Sequence, residues 1–167
     1  MRIAILSDIH DNIWNLTKTI KLLQNNVDTV VCCGDFCTPF IPPYLTKLKV
    51  PIYACLGNND EDHIGLFKTG GELFNWTHLS KEYGQAELGG KKIAFCHYPK
   101  LAELLAQEGA FDAVFHGHTH FSRIEKYNKT ILVNPGAICG IQKGKAGIAS
   151  YAIYDTSTNT AEIYKIT

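Results

Sequence analysis

The sequence predicts an α/β (α+β) fold in four layers, a sandwich of two packed mixed β-sheets flanked by helices. Three observations lead there. Eight apolar runs of strand length are spread along the 167 residues. The first three, RIAILS at 2–7, TVVCCG at 29–34 and IYACLG at 52–57, are nearly continuous and rich in β-branched residues, as strands covered on both faces are. Helical segments separate the runs of the first half, whereas beyond Lys91 the runs crowd together. A βαβαβ half with right-handed crossovers makes a largely parallel sheet. The hairpins of the second half call for a second sheet instead of one long doubly wound sheet.

The elements follow in order. RIAILS opens the chain as a strand. The segment 12–26, NIWNLTKTIKLLQNN, places Ile13, Leu16, Ile20 and Leu23 at helical spacing behind Asn12, a residue type suited to capping. TVVCCG is the next strand. A shorter helix lies in FIPPYLTKLK at 40–49, with Pro42 or Pro43 in its first turn, and IYACLG is the third strand. The stretch 61–71 reads as a loop, and 70–90 as two short strands. KIAFCH at 92–97 is a strand, PKLAELLAQEGAF at 99–111 a helix stopped by Gly109, and DAVFHG at 112–117 a strand. FSRIEKY at 121–127 and TILVN at 130–134 form a hairpin around Asn128-Lys129. A loop over 136–147 leads to IASYAIYD at 148–155 and AEIYKI at 161–166, which meet near Thr156–Asn159. No repeat, low-complexity tract or linker interrupts the chain, so residues 1–167 read as a single domain.

Composition narrows the function classes. Lysine plus arginine and aspartate plus glutamate each number 16, so the formal net charge is zero. That balance gives no reason to expect nucleic acid or an anionic membrane as partner. MRIAILSDIH lacks the apolar core of a signal peptide and no stretch is long enough to span a bilayer, so the expected location is cytoplasmic. A reducing compartment keeps the six cysteines as thiols. Four lie in or at the end of apolar runs and read as buried, while Cys37 and Cys139 are the ones expected near a site.

The chemistry-bearing residues share one position in the pattern. Asp8 and His10 follow the first strand, Asp35 the second, and Asn58, Asn59 and Asp60 the third; His97 and then His118 and His120 follow two later ones. Each has an ordinary explanation alone, since aspartate and asparagine form turns and caps after strands. None of those explanations accounts for five successive strands delivering Asp, Asn or His to the same edge, where the loops of an open α/β sheet converge on ligands. Oxygen ligands mixed with imidazoles suit borderline divalent metals such as manganese, iron, nickel or zinc, whereas magnesium and calcium prefer all-oxygen shells. Seven ligands exceed what one tetrahedral zinc uses and fit two ions sharing a carboxylate. The metal site is therefore expected at the C-terminal ends of the strands.

The ordered set Asp8-x-His10, Gly34-Asp35, Gly57-Asn58, His97 and Gly117-His118-x-His120 resembles the signature of the calcineurin-like metallophosphoesterase superfamily, in particular its small single-domain prokaryotic phosphodiesterases. The resemblance runs through essentially the whole chain. It implies that Asp8, His10, Asp35 and His120 hold one metal ion and Asp35, Asn58, His97 and His118 the other, with Asp35 bridging. Asp35 and Asn58 are the residues expected to be catalytic. It further implies a dinuclear phosphodiesterase acting on a small phosphate ester through a metal-bridged hydroxide, with manganese first among the candidate ions, and a homodimer or homotetramer. His116 has no place in that ligand set and reads as a packing residue.

Two departures from the family pattern stand out. Asn59 occupies the position where many members carry a histidine that protonates the leaving oxygen, which predicts a preference for good leaving groups such as aryl esters. Tyr98 and Pro99 stand where relatives carry glycine and another histidine, and Tyr98 reads either as a substrate contact or as packing. Asp11, Asn12 and Asn134 are further candidates at the same rim; Asp11 or Asn12 would orient the ligands or bind phosphate, with Asn12 reading equally as a helix cap and Asn134 otherwise as a turn residue. Specificity is expected from 61–71 and 136–147. A phosphomonoesterase acting on a small metabolite and a non-catalytic metal-binding scaffold of the same fold are the alternatives.

Overall fold

The computed structural model describes residues 1–167, and its strands explain the continuous apolar runs. In β1 (Arg2–Leu6) the side chains of Ile3 and Ile5 enter one core while Ala4 and Leu6 enter another, all four fully buried. Strand β2 (Thr29–Cys33) divides the same way, Val31 and Cys33 to one side and Val30 and Cys32 to the other. Successive side chains point to opposite faces, so a strand with both faces covered must be apolar throughout. Strands β3 (Ile52–Cys55) and β4 (Phe74–Trp76) continue in parallel, and β12 (Ser150–Asp155) and β13 (Thr160–Lys165) complete the other edge antiparallel. The order is β13-β12-β1-β2-β3-β4.

The second sheet is built from β5 (Gly84–Leu88), β6 (Lys91–Phe95), β7 (Ala113–Phe115), β8 (Arg123–Tyr127) and β9 (Thr130–Asn134), in the order β5-β6-β7-β9-β8. Its centre, β6-β7-β9, is parallel and both edge pairs are antiparallel. The two sheets meet through Ile5, Val31, Phe95, Phe115, Val133 and Tyr154. Helices α1 (Ile13–Leu23), α2 (Pro42–Leu45) and α3 (His63–Gly70) pack Leu16, Ile20, Leu45 and Leu66 on the outer face of the first sheet. Helix α4 (Pro99–Glu108) covers the second through Ala102, Leu105 and Ala106 against Ala94, Val114 and Leu132. The result is the four-layer arrangement expected from the periodicity.

Local signals also act as the sequence indicates. The Asn12 side chain accepts from the Asn15 N–H at 3.0 Å and caps α1, an interaction of about 1 kcal/mol in a typical helix. Gly109 ends α4 with φ 74°, in the left-handed region. The two short strands expected over 70–90 are β4 and β5, one for each sheet. Two loops differ from expectation. Residues 61–71 are not a loop: they contain α3, capped by Asp62, whose carboxylate accepts from the Gly65 N–H at 2.9 Å. With eight residues, two of them glycine, the segment is too short and too weakly patterned to register as periodic. Within 136–147, β10 (Ile141–Gln142) and β11 (Lys145–Ala146) form a small separate hairpin.

Candidate metal centre

Parallel pairing sends the C-terminal ends of β1, β2 and β3 to one rim, where β6, β7 and β9 of the second sheet also end. Backbone hydrogen bonds stitch the loops that leave them. Asp8 N–H donates to Gly34 O at 3.1 Å, Ile9 and His10 N–H both donate to Asp35 O, Cys139 N–H donates to Asp8 O, and Gly117 N–H donates to His97 O. The approach is close enough to require glycine at two joints. A Cβ on Gly57 would lie 2.5 Å from Asp35 N, and one on Gly117 would lie 2.7 Å from Asp8 Oδ2. The loops also turn sharply at the candidate ligands themselves. Asp8, His10, Asp35, His118 and His120 have φ of 53°, 45°, 58°, 71° and 63°, a region that side-chain-bearing residues rarely adopt.

All seven candidate ligands are brought together, in two overlapping groups. In the first, His120 Nε2 lies 3.2 Å from Asp8 Oδ1 and 3.2 Å from His10 Nε2, and His10 Nε2 lies 3.4 Å from Asp35 Oδ2. In the second, His97 Nε2 lies 3.5 Å from Asp35 Oδ2, 3.0 Å from Asn58 Oδ1 and 3.2 Å from His118 Nδ1, which is itself 2.9 Å from Asn58 Oδ1. Asp35 Oδ2 belongs to both. Asp8, Asp35 and His97 are buried, His10 and His120 half-buried, and Asn58 and His118 exposed, so the groups have a buried floor and an open mouth.

The tautomers make this arrangement a test of whether cations fit. His97 Nδ1–H donates to Cys33 O at 2.7 Å, and His120 Nδ1–H donates to Ile141 O at 2.6 Å. A carbonyl can only accept, so each neutral ring turns a bare Nε2 lone pair inward. His97 Nε2 then faces Asn58 Oδ1 and Asp35 Oδ2, acceptor against acceptor, and without a cation His120 Nε2 takes a proton to meet Asp8 Oδ1. Lone pairs converging at about 3 Å on a largely buried floor need a positive centre between them. A divalent cation meets that need in each group. Protons compete for the same places: hydrogen bonds to Asp8 and then Cys139 push His120 up to about 11. Burial alone would raise the Asp8 carboxyl, but the hydrogen bond with His120 and the field of His97 outweigh it and hold the group below its usual value.

Behind these residues lies a supporting layer. The Asn59 N–H and Nδ2–H donate to the two oxygens of Asp35, at 2.9 and 2.8 Å. Asn59 thus orients the shared carboxylate in addition to being unable to supply a proton. The His118 N–H donates to both Asp8 oxygens, at 3.2 and 3.0 Å. Asp11 accepts from the N–H and hydroxyl of Thr38, and Asn12 is fully used as the cap of α1 and a donor to Cys139 O. Asn134 is buried beneath the 117–120 loop and donates to Gly117 O and Thr119 Oγ1, which makes it a support of the loop. His116 is buried outside the ligand groups, with Nδ1 bonded to Gly117 O, and burial lowers its pKa to about 4. Cys37 and Cys139 do lie at the site, with Sγ 3.4 Å from His10 Nδ1 and 3.7 Å from His120 Nδ1. The Tyr98 ring stands edge-on to His97 and His118, at 5.2 and 5.1 Å between centroids.

Asp60, which the sequence places at the rim without a specific task, is buried, and its carboxylate accepts from the backbone N–H groups of Gly57, Asp35 and Cys37 at 2.7, 2.9 and 2.8 Å. It ties the loop after β2 to the loop after β3. The available signal was an acid directly behind the asparagine pair; which N–H groups it binds depends on the neighbouring strand.

A family model described as the calcineurin-like phosphoesterase superfamily domain matches residues 1–159. Phosphodiesterase MJ0936 of Methanocaldococcus jannaschii is 33% identical over 159 residues, 93% of each chain. Among solved structures, an archaeal phosphodiesterase superposes with a TM-score of 0.88 at 29% identity over 99% of both chains. Vps29 of Chaetomium thermophilum gives a TM-score of 0.74 at 16% identity, over 100% of this chain and 86% of its own. That last likeness concerns the fold alone.

Proposed function

The chain belongs to the calcineurin-like phosphoesterase superfamily, and from that premise we propose that it is a phosphodiesterase with a two-ion centre. The observation that carries this reading is the convergence of bare imidazole and carboxylate lone pairs into two groups that share Asp35 Oδ2. Asp8, His10, Asp35 and His120 would hold one ion, and Asp35, Asn58, His97 and His118 the other. The mixed nitrogen and oxygen donors favour manganese, with nickel, iron or zinc as alternatives. Divalent ions polarise phosphoryl oxygens, make a water nucleophilic at neutral pH and neutralise charge that develops at phosphorus.

The chain's own residues supply position and charge. Two divalent ions with the Asp8 and Asp35 carboxylates leave a formal charge of about +2, so the mouth attracts a phosphate ester. Asp35, held at both oxygens by Asn59, and Asn58, between His97 and His118, fix the separation and orientation of the two groups and are the proposed catalytic residues. No side chain at position 59 can protonate the leaving oxygen, so aryl esters are the favoured substrates over alkyl esters. Residues 1–167 are read as one metallophosphoesterase domain. Six free thiols fit a cytoplasmic setting, and a homodimer or homotetramer is the expected assembly.

The test pairs metal analysis with hydrolysis of bis-p-nitrophenyl phosphate and p-nitrophenyl phosphate, before and after chelation and manganese repletion. The expected result is about two ions per chain and diester cleavage that chelation abolishes and manganese restores. Asp35→Asn and His118→Ala should both lose it. Tight metal binding without hydrolysis of either ester would overturn the catalytic reading in favour of a scaffold. Faster cleavage of the monoester would overturn the diester preference.

A further inference from the structure

We propose that a cleft opening beside His97 receives one arm of the substrate and selects phosphodiesters in which that arm is an uncharged ring instead of a short alkyl group. The proposal rests on the phosphodiesterase reading. The cleft has a volume of about 260 Å³ and its lining includes His97 and Gly57, so it adjoins the candidate ligands that would hold the phosphate. Its apolar walls come from Leu79, Tyr98 and Leu101. Leu79 is 58% exposed and Tyr98 48% exposed, an arrangement that the packing of the fold does not require. Tyr98 makes edge-on contacts with the imidazoles of His97 and His118, which places that wall against two candidate ligands.

Size and charge define the occupant. A cavity of about 150 Å³ holds benzene, so this cleft accommodates one ring with its substituents. Of the lining residues, Lys81 and Glu82 cancel and His63 and His78 complete the polar wall, so beyond the pull of the centre itself the walls add nothing for an anionic or a cationic arm. A larger hollow of about 380 Å³ lies at Glu87, Lys92 and Phe111 and contains no candidate ligand, so nothing there connects a bound group to the reacting phosphorus. The segments that line the cleft are the 77–82 stretch between β4 and β5, the start of α4 and, from the expected 61–71 segment, His63; 136–147, also expected to carry specificity, does not line it.

The experiment keeps p-nitrophenolate as leaving group and varies the other arm, comparing methyl p-nitrophenyl phosphate with phenyl p-nitrophenyl phosphate on the manganese-loaded enzyme. Calorimetric binding of methylphosphonate and phenylphosphonate to the same preparation gives a second readout that needs no turnover. Burial of the ring is expected to favour phenyl over methyl by about tenfold in both kcat/KM and Kd. Leu79→Ala, and separately Leu101→Ala, should bring both ratios down to about two or less. Ratios near one in the unmodified protein, or ratios that both variants retain, would overturn the cleft assignment. If neither ester is hydrolysed the phosphodiesterase reading fails, and the calorimetric ratio still decides whether the cleft selects a ring.

Discussion

Asp60 offers the sharpest test of how the site is held together, because one buried carboxylate accepts three backbone N–H groups from two loops. In Asp60→Asn the amide oxygen can keep the two donors that share Oδ2, Gly57 and Asp35, and the amide nitrogen must then face the Cys37 N–H. One charged-acceptor hydrogen bond is lost at about 1.5–3 kcal/mol, and two others weaken from charged to neutral acceptors at about 1 kcal/mol each. The expected destabilisation is about 3.5–5 kcal/mol. Asp60→Ala loses all three partners and should cost more. Asp62→Asn serves as control, since it makes the same charge change at an exposed helix cap and should cost at most about 1 kcal/mol. Urea unfolding of the chelated proteins, followed by circular dichroism, measures each difference without metal linkage. In the loaded proteins, metal affinity should fall about 10- to 100-fold in Asp60→Asn, because the loop carrying Asp35 is loosened. A chelated Asp60→Asn protein within about 1 kcal/mol of the unmodified one would refute the reasoning, since three short buried bonds would then carry no net stability.

Three further outcomes follow from the same geometry. Asn59→Ala removes the side-chain donor to Asp35 Oδ2 while keeping the backbone N–H on Oδ1, and should weaken metal binding about tenfold, measured by competition with a chromophoric chelator; unchanged affinity would show that Asp35 is held without it. Gly117→Ala drives a methyl group into Ser7 and Asp8 and should cost about 1–3 kcal/mol together with most of the diesterase activity, whereas Gly144→Ala, strained at φ 73° but with open space around it, should retain the activity. Burial lowers His116 from 6.5 to about 4, so the unfolded chain takes up a proton between those values that the folded chain refuses. Stability should therefore fall as pH drops through this window, by up to about 3 kcal/mol from this residue. Thermal unfolding of chelated His116→Asn against the parent protein should show a shallower acid dependence, and parallel curves would exclude His116 as a source.

Much of this architecture is legible because strand burial and ligand placement both leave marks on single residues. A run such as RIAILS is apolar at every position because Ile3 and Ile5 face one core and Ala4 and Leu6 another. The strand-end position of Asp8, Asp35, Asn58, His97 and His118 then puts the candidate ligands on one rim. Helix α3 is not legible, because His63–Gly70 is held by its Asp62 cap and by Leu66 in the core without a repeating apolar face. The tasks of Asn59 and Asp60 are hidden for another reason. Asn59 acts on a carboxylate 24 residues away and Asp60 on the Asp35 N–H 25 residues away, and no local spacing records which N–H or oxygen lies opposite. His116 shows the reverse case, since its alternation with His118 and His120 looks like ligand spacing until the chain turns after Gly117 and separates it from them.

The left-handed backbone at five candidate ligands means that the rim is assembled against local preference. Each such residue costs on the order of 1 kcal/mol, a sum comparable to the whole folding stability of a small domain. The ladder hydrogen bonds and the apolar cores below the rim hold the chain in that shape. The segments around 8–11, 35–37 and 118–120 are therefore where opening relieves backbone strain, and amide hydrogen exchange should find them less protected than the central strands of the chelated protein. Bound ions would act there as latches, and their removal should be felt first as local breathing at the rim, well before the sheets separate.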